Sequence, residues 1–208
     1  MSDCCASKGS ELEILARQAD QRRVLIIVMA LNGLMFLAEF GAGLIAGSAA
    51  LMADSVDMLG DATVYGVSLY ALNKSAQWKA GAAVAKALFI LILFGGVLVQ
   101  IGTKLQTGVA PSSLLMAVFG AMALVVNLAS LRLMWRFRAL DVNMSSTVEC
   151  SRNDALANVG VLIAAGAVAW SGSYWPDILV AMLIAALFLR SALRMLAQAL
   201  PILRHQHS

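Results

Sequence analysis

Apolar residues in this chain come in six runs of about 20, separated by short stretches where polar residues, glycine or proline collect. A helix rising about 1.5 Å per residue needs about 20 residues to cross roughly 30 Å of hydrocarbon. The runs therefore predict six transmembrane helices over residues 24–46, 50–71, 82–103, 112–135, 144–170 and 176–199. Gly47-Ser48, Asn73-Lys74-Ser75, Pro111-Ser112 and Gly172-Ser173 mark the breaks. Ahead of the first run, Ser10-Glu11-Leu12-Glu13 has capping-box form, and Leu12, Leu15 and Ala19 recur at helical spacing. A short amphipathic helix on the inner surface is expected there, within a cytosolic segment 1–23. Residues 24–200 then form one six-helix membrane domain. Residues 201–208 are read as a short cytosolic tail, with no folded domain expected after Pro201.

Composition agrees, with 61% hydrophobic and 13% charged residues and mean hydropathy +0.82, where a soluble domain carries nearer a quarter charged. Lys8, Arg17, Arg22 and Arg23 precede the first span, Lys74 and Lys79 follow the second, Arg132, Arg136 and Arg138 follow the fourth, and Arg190, Arg194 and Arg204 close the chain. The opposite connections hold essentially only Lys104. By the positive-inside bias both termini face the cytosol. The N-terminus lacks the basic-then-apolar order of a secretory signal. With short external loops, this points to a multi-pass protein of a bacterial inner membrane. Cys4, Cys5 and Cys150 do not make a disulfide framework and are expected to be reduced.

Three aspartates interrupt the second apolar run. At about 100° per residue Asp54, Asp57 and Asp61 fall within roughly 60° of one another and form one acidic stripe. A charge near the bilayer centre costs about 2.5–3.5 kcal/mol on insertion scales, so such residues mark a functional site unless internal partners account for them. In the fifth run Cys150, Asp154 and Asn158 repeat every four residues as a second polar stripe. Asp57 with Asp61, facing Cys150 with Asp154, would supply three carboxylates and one thiolate around a divalent cation. That donor set suits zinc, with cadmium next, better than the all-oxygen shells that magnesium and calcium prefer.

The bland alternative for these residues is interhelical hydrogen bonding, common for a single Asn or Ser but unusual for four acids in two spans. Glu149 and Arg152 read more simply as a local ion pair. Asn32 and Glu39 share a face of the first span, where they shape an ion path or serve as packing glue. Cys4 and Cys5, and at the other end His205 and His207, are auxiliary candidates for handing over a soft metal. Gly41-Ala42-Gly43, Gly95-Gly96 and Gly160 with Ala164 report close helix packing. No nucleotide-binding loop, zinc-protease pattern or hydrolase elbow is present in the sequence, so an enzyme, ATP as an energy source, a bound cofactor and a nucleic-acid partner are not expected.

The stretch from Gly47 through Asp54, Asp57 and Asp61 resembles the second-span signature of the cation diffusion facilitators. Cys150-Ser151-Arg152-Asn153-Asp154, running on to Asn158-Val159-Gly160, is similar to the family's second ligand pair. The resemblance implies a six-helix all-α bundle, usually dimeric, that exports zinc or related divalent metals in exchange for protons. It places the transport site on Asp57, Asp61, Cys150 and Asp154. The chain departs from the pattern in carrying Cys150 where His or Asp is usual and in lacking histidine-rich connections, and the cytosolic metal-binding domain that usually follows the sixth span is not expected here.

The mechanism expected is alternating access, with protons and metal competing for one donor set. Its partners are the lipid bilayer, divalent cations (zinc, with cadmium or cobalt also accepted), protons and a second copy of the chain. A non-transporting membrane metal sensor or donor is the alternative, and it would bind without flux. A proton-coupled exporter of organic cations would need an aromatic-lined cavity, against 7% aromatics here.

Overall fold

A computed structural model describes the backbone of residues 2–70, 76–135 and 142–204, and the side chains of most residues between 19 and 187. It contains six α-helices in the order the hydropathy predicts: α1 Ser2–Ala46, α2 Ala49–Tyr70, α3 Ala76–Thr107, α4 Ser113–Trp135, α5 Val142–Ser171 and α6 Trp175–Arg204. Stretches of α1, α3, α4 and α5 are each long and apolar enough to cross a membrane. The three aspartates of α2 break its apolar run. In α6 the described apolar stretch is the shorter Trp175–Leu187.

The amphipathic segment is not a separate helix. No Gly or Pro interrupts Glu11 to Arg23, so the helix runs unbroken from Ser2 into the first span, and Ser10 lies inside it rather than at a cap. α3 likewise begins at Ala76, earlier than its apolar core. α6 continues through Pro201 to Arg204, although the proline removes one backbone hydrogen bond.

Helices α1, α2, α4 and α5 pack together, and α3 pairs with α6 alongside them. α2 alone touches all five of the others. Its sequence makes that position possible: Ala49, Ala50, Leu51, Met52, Ala53, Asp54, Ser55 and Val56 are all buried, which for consecutive helical residues means neighbours on every side. Small side chains let those neighbours approach. A Cβ added at Gly43 on α1 would stand 2.8 Å from Met52 Cγ and 3.0 Å from its backbone nitrogen, so only glycine fits that crossing. Large apolar residues such as Leu34, Leu37, Ile92, Val125 and Leu183 face outward, as a bundle immersed in lipid requires.

The α1–α2 turn sets the register of the two helices. Gly47 has φ +63°, the left-handed conformation open to glycine, while Ser48 N–H donates to Gly43 O (2.8 Å) and Gly47 N–H to Leu44 O (3.3 Å). One residue on, Ser48 Oγ accepts from Leu51 N–H at 3.1 Å and caps α2.

The same end of α2 is held from outside. Asp177, fully buried in the first turn of α6, accepts from Ser48 Oγ (2.6 Å), Ala49 N–H (3.0 Å), Ala50 N–H (3.1 Å) and Lys104 Nζ of α3 (2.6 Å). A carboxylate at a helix N-terminus complements the partial positive charge of the unpaired amides. Lys104, the one basic residue read on the external side, is thus 4% exposed and paired inside the protein. Removing one partner of a buried ion pair strands the other, at about 3–5 kcal/mol. Asp177→Ala should therefore lower the thermal stability of the purified protein by that order, and Lys104→Met added to it should recover part of the loss. Unfolding in detergent measures both, and an unchanged midpoint for Asp177→Ala would refute the clamp.

Candidate functional site

Three contacts fix the level of the side chains of α1, α2 and α5 along the bundle. Gly43 meets Met52 and Gly66 meets Met29, so α1 and α2 run antiparallel with residue numbers summing to 95. Asn158 Nδ2 donates to Asp54 Oδ2, so the matching sum for α2 and α5 is 212. These registers set Glu39 level with Val56, two residues from Asp54, place Asn32 level with Thr63, two residues from Asp61, and bring Asp154 between Asp57 and Asp61.

The acids converge accordingly. Asp154 lies within hydrogen-bonding reach of both Asp57 and Asp61. Asp57, Asp61 and Asp154 are each partly exposed, whereas Asp54 is 1% exposed. Tyr65, one turn beyond Asp61, donates its hydroxyl to Asp61 Oδ2 at 3.2 Å. Asn32, Asp54, Asp57, Met58, Asp61, Asn127 and Asp154 line one narrow seam of about 150 Å³ that has no room for a free water molecule. One oxygen of Asp154 is buried without a hydrogen-bond partner. Among the described residues, no three His, Cys, Asp or Glu side chains stand in ready coordination geometry, so an ion would have to draw the carboxylates inward.

Toward the outer end the polar groups have a different character. Asn127 of α4 donates to Asn158 Oδ1 at 2.9 Å, and Asn158 donates in turn to Asp54. This chain ties α4, α5 and α2 together and gives the buried Asp54 a donor. Glu39 lies against Asp54, wholly buried and within hydrogen-bonding reach of its carboxylate. The pattern alone flags Asp54, Glu39 and Asn158 as auxiliary residues, and they do form one cluster. Asn127 is not found from the pattern, although a single asparagine in an otherwise apolar fourth run is a signal of the same kind.

Cys150 sits in α5 one turn before Asp154, and the α2–α5 register sets its backbone level with Ala62, next to Asp61; its side chain lies outside the described residues, as do those of Glu149 and Arg152. Cys4 and Cys5 belong to the first turns of α1, about 40 Å from Asn32 along the helix axis, and their side chains are also outside the described residues. His205 and His207 lie beyond them as well.

The sequence model of the cation efflux transmembrane domain matches residues 25–204. The metal cation efflux system protein CzcD of Cupriavidus metallidurans is 26% identical to this chain over 198 residues, covering 86% of the chain and 63% of that protein. The cation efflux system protein CzcD of an Alcaligenes species gives the same values. The chain thus spans less than two thirds of the length of these relatives.

The Asn127–Asn158–Asp54 chain makes a structural prediction. Asn158→Leu takes away the donor to Asp54 and leaves Asn127 facing an apolar group, which should destabilise the protein by about 1–3 kcal/mol. A thermal midpoint within error of the unmodified chain would show that the network contributes nothing.

Proposed function

Because the chain belongs to the cation efflux family, we propose that it exports divalent transition-metal cations from the cytosol in exchange for protons. Zinc is the first choice, with cadmium or cobalt also carried. The observation that carries this reading is the meeting of Asp57, Asp61 and Asp154, from two helices, at one seam inside a membrane bundle. Three carboxylates at that depth are costly without a cation among them. They are the donors to which Cys150 adds a soft sulfur. The relatives' names, which speak of cation efflux, support transport over a sensor or donor role.

The exposure of α2 supports a particular state. Its outer half is enclosed on all sides and pinned by Asp177, whereas Asp57, Gly60, Asp61, Ala62 and Thr63 are partly open. With the charge bias setting the termini inside, the site opens toward the cytosol and is closed outward. An ion reaching the seam displaces the protons held there, since carboxylates and thiols bind metal only when deprotonated. After a rearrangement that opens the outer end, protons compete for the same atoms and release the metal. The proton gradient thereby drives export, and no other cofactor is needed. A second copy of the chain completes the assembly, in the cell membrane of a bacterium.

Two measurements test the reading. In proteoliposomes with an imposed pH gradient, Asp57→Ala and Asp154→Ala should reduce zinc flux to the level of empty vesicles; transport equal to the unmodified chain would refute the site. Cys150→Asp should keep zinc flux while lowering cadmium relative to zinc, because an all-carboxylate shell loses the soft donor. Unchanged metal ratios would remove the thiol from the site.

A further inference from the structure

Asn32 on α1 remains unaccounted for by a site built from α2 and α5. It is 1% exposed. Its Nδ2 donates to Val28 O, one turn back, at 2.9 Å. Only the nitrogen of an amide can make that bond, so the carbonyl oxygen occupies the opposite branch of the side chain. Asn32 Oδ1 is buried and has no hydrogen-bond partner. The residue lines the seam together with Asp57, Asp61 and Asp154, and the α1–α2 register puts it within two residues of the level of Asp61. The seam is too narrow for water to satisfy that oxygen. An asparagine serving only as packing glue would direct both of its polar ends to partners, as Asn158 does, accepting from Asn127 and donating to Asp54. Glu39 lies within hydrogen-bonding reach of Asp54 and outside the seam lining, so it does not compete for this role.

We propose that Asn32 Oδ1 is a fifth donor to the transported ion, supplied by α1, and that it biases the site toward divalent ions that accept five or more ligands. The inference rests on the reading that Asp57, Asp61, Cys150 and Asp154 hold the ion. Four donors close a tetrahedral shell, the arrangement zinc favours. A neutral carbonyl oxygen added to three carboxylates and a thiolate makes the set more oxygen-rich and expands it beyond four. Cobalt and manganese gain more from that than zinc does. The donor also brings α1 into the site, so that metal binding links three helices rather than two.

Cobalt(II) reads coordination number directly, because its visible ligand-field bands are strong when tetrahedral and weaker when five-coordinate. Its thiolate charge-transfer band in the near ultraviolet reports Cys150 separately. The experiment loads cobalt into the purified unmodified chain and into Asn32→Leu, Asn32→Asp and Cys150→Ser. The expected result is weak ligand-field bands in the unmodified chain and in Asn32→Asp, which keeps an oxygen, and strong bands in Asn32→Leu. The charge-transfer band should persist in these three and vanish in Cys150→Ser. In vesicles the cobalt-to-zinc flux ratio should fall roughly 10-fold in Asn32→Leu, the lower end of the loss seen when a supporting group of a metal site is removed.

Ligand-field bands that superimpose in the unmodified chain and Asn32→Leu, with the charge-transfer band intact, overturn the fifth donor and leave the four-donor site standing. A strongly tetrahedral spectrum of the unmodified chain overturns it without any variant, should Asn32→Leu not fold. If the unmodified chain binds no cobalt, or Cys150→Ser keeps the thiolate band, the four-donor reading fails and the Asn32 inference fails with it.

Discussion

Carboxylates cannot face hydrocarbon, and the bundle is arranged around that constraint. The second helix carries three of them on one stripe, and it is the helix that every other element touches. Its small residues, Ala49, Ala50 and Ala53 among them, let neighbours close around it, and Gly43 on the preceding helix allows the tightest of these approaches. Apolar side chains fill most of the interior and also cover the lipid-facing surface, while the acids and amides of the spans are kept inside.

Within that interior the acids are treated in two ways. Asp54 is given a donor through Asn158, itself held by Asn127, and is closed away from solvent. Asp57, Asp61 and Asp154 are left facing one another across a seam and partly open. A network whose members supply each other's hydrogen bonds rigidifies the helices it joins. A set of like charges does the opposite, favouring whatever cation can enter. The outer cluster thus reads as scaffold and the inner one as the group proposed to hold an ion, though both lie on the same stripe of the same helix.

The six helices, the acidic stripe and the Asp154 and Asn158 part of the fifth-span stripe were legible because each is a local regularity: run length, or spacing of three and four residues. The partners were not. Lys104 and Asp177 are 73 residues apart, Ser48 and Asp177 are 129, and Asp54 and Asn158 are 104. No periodicity in a single sequence connects such positions. Lys104 in particular has the pattern of a loop cation and is in fact enclosed, because the carboxylate that neutralises it arrives from another helix. The continuity of α1 was missed for a different reason: a capping-box pattern is a start signal only where the preceding residues do not already form a helix. Asn127 was passed over because a single amide in an apolar run carries no spacing information.

Asp177 fastens one end of α2 to the neighbouring pair of helices with two backbone amides, a hydroxyl and an ammonium group. A rod fixed at one end sweeps an arc that grows with distance from its anchorage. Asp54 lies about 7 Å along the axis from Ala49 and Asp61 about 18 Å. Any tilt of this helix about its fastened end therefore carries Asp61 more than twice as far as Asp54. The fastening makes the helix a lever with its fulcrum at the outer face, and small angular play there is amplified at the carboxylates of its inner half.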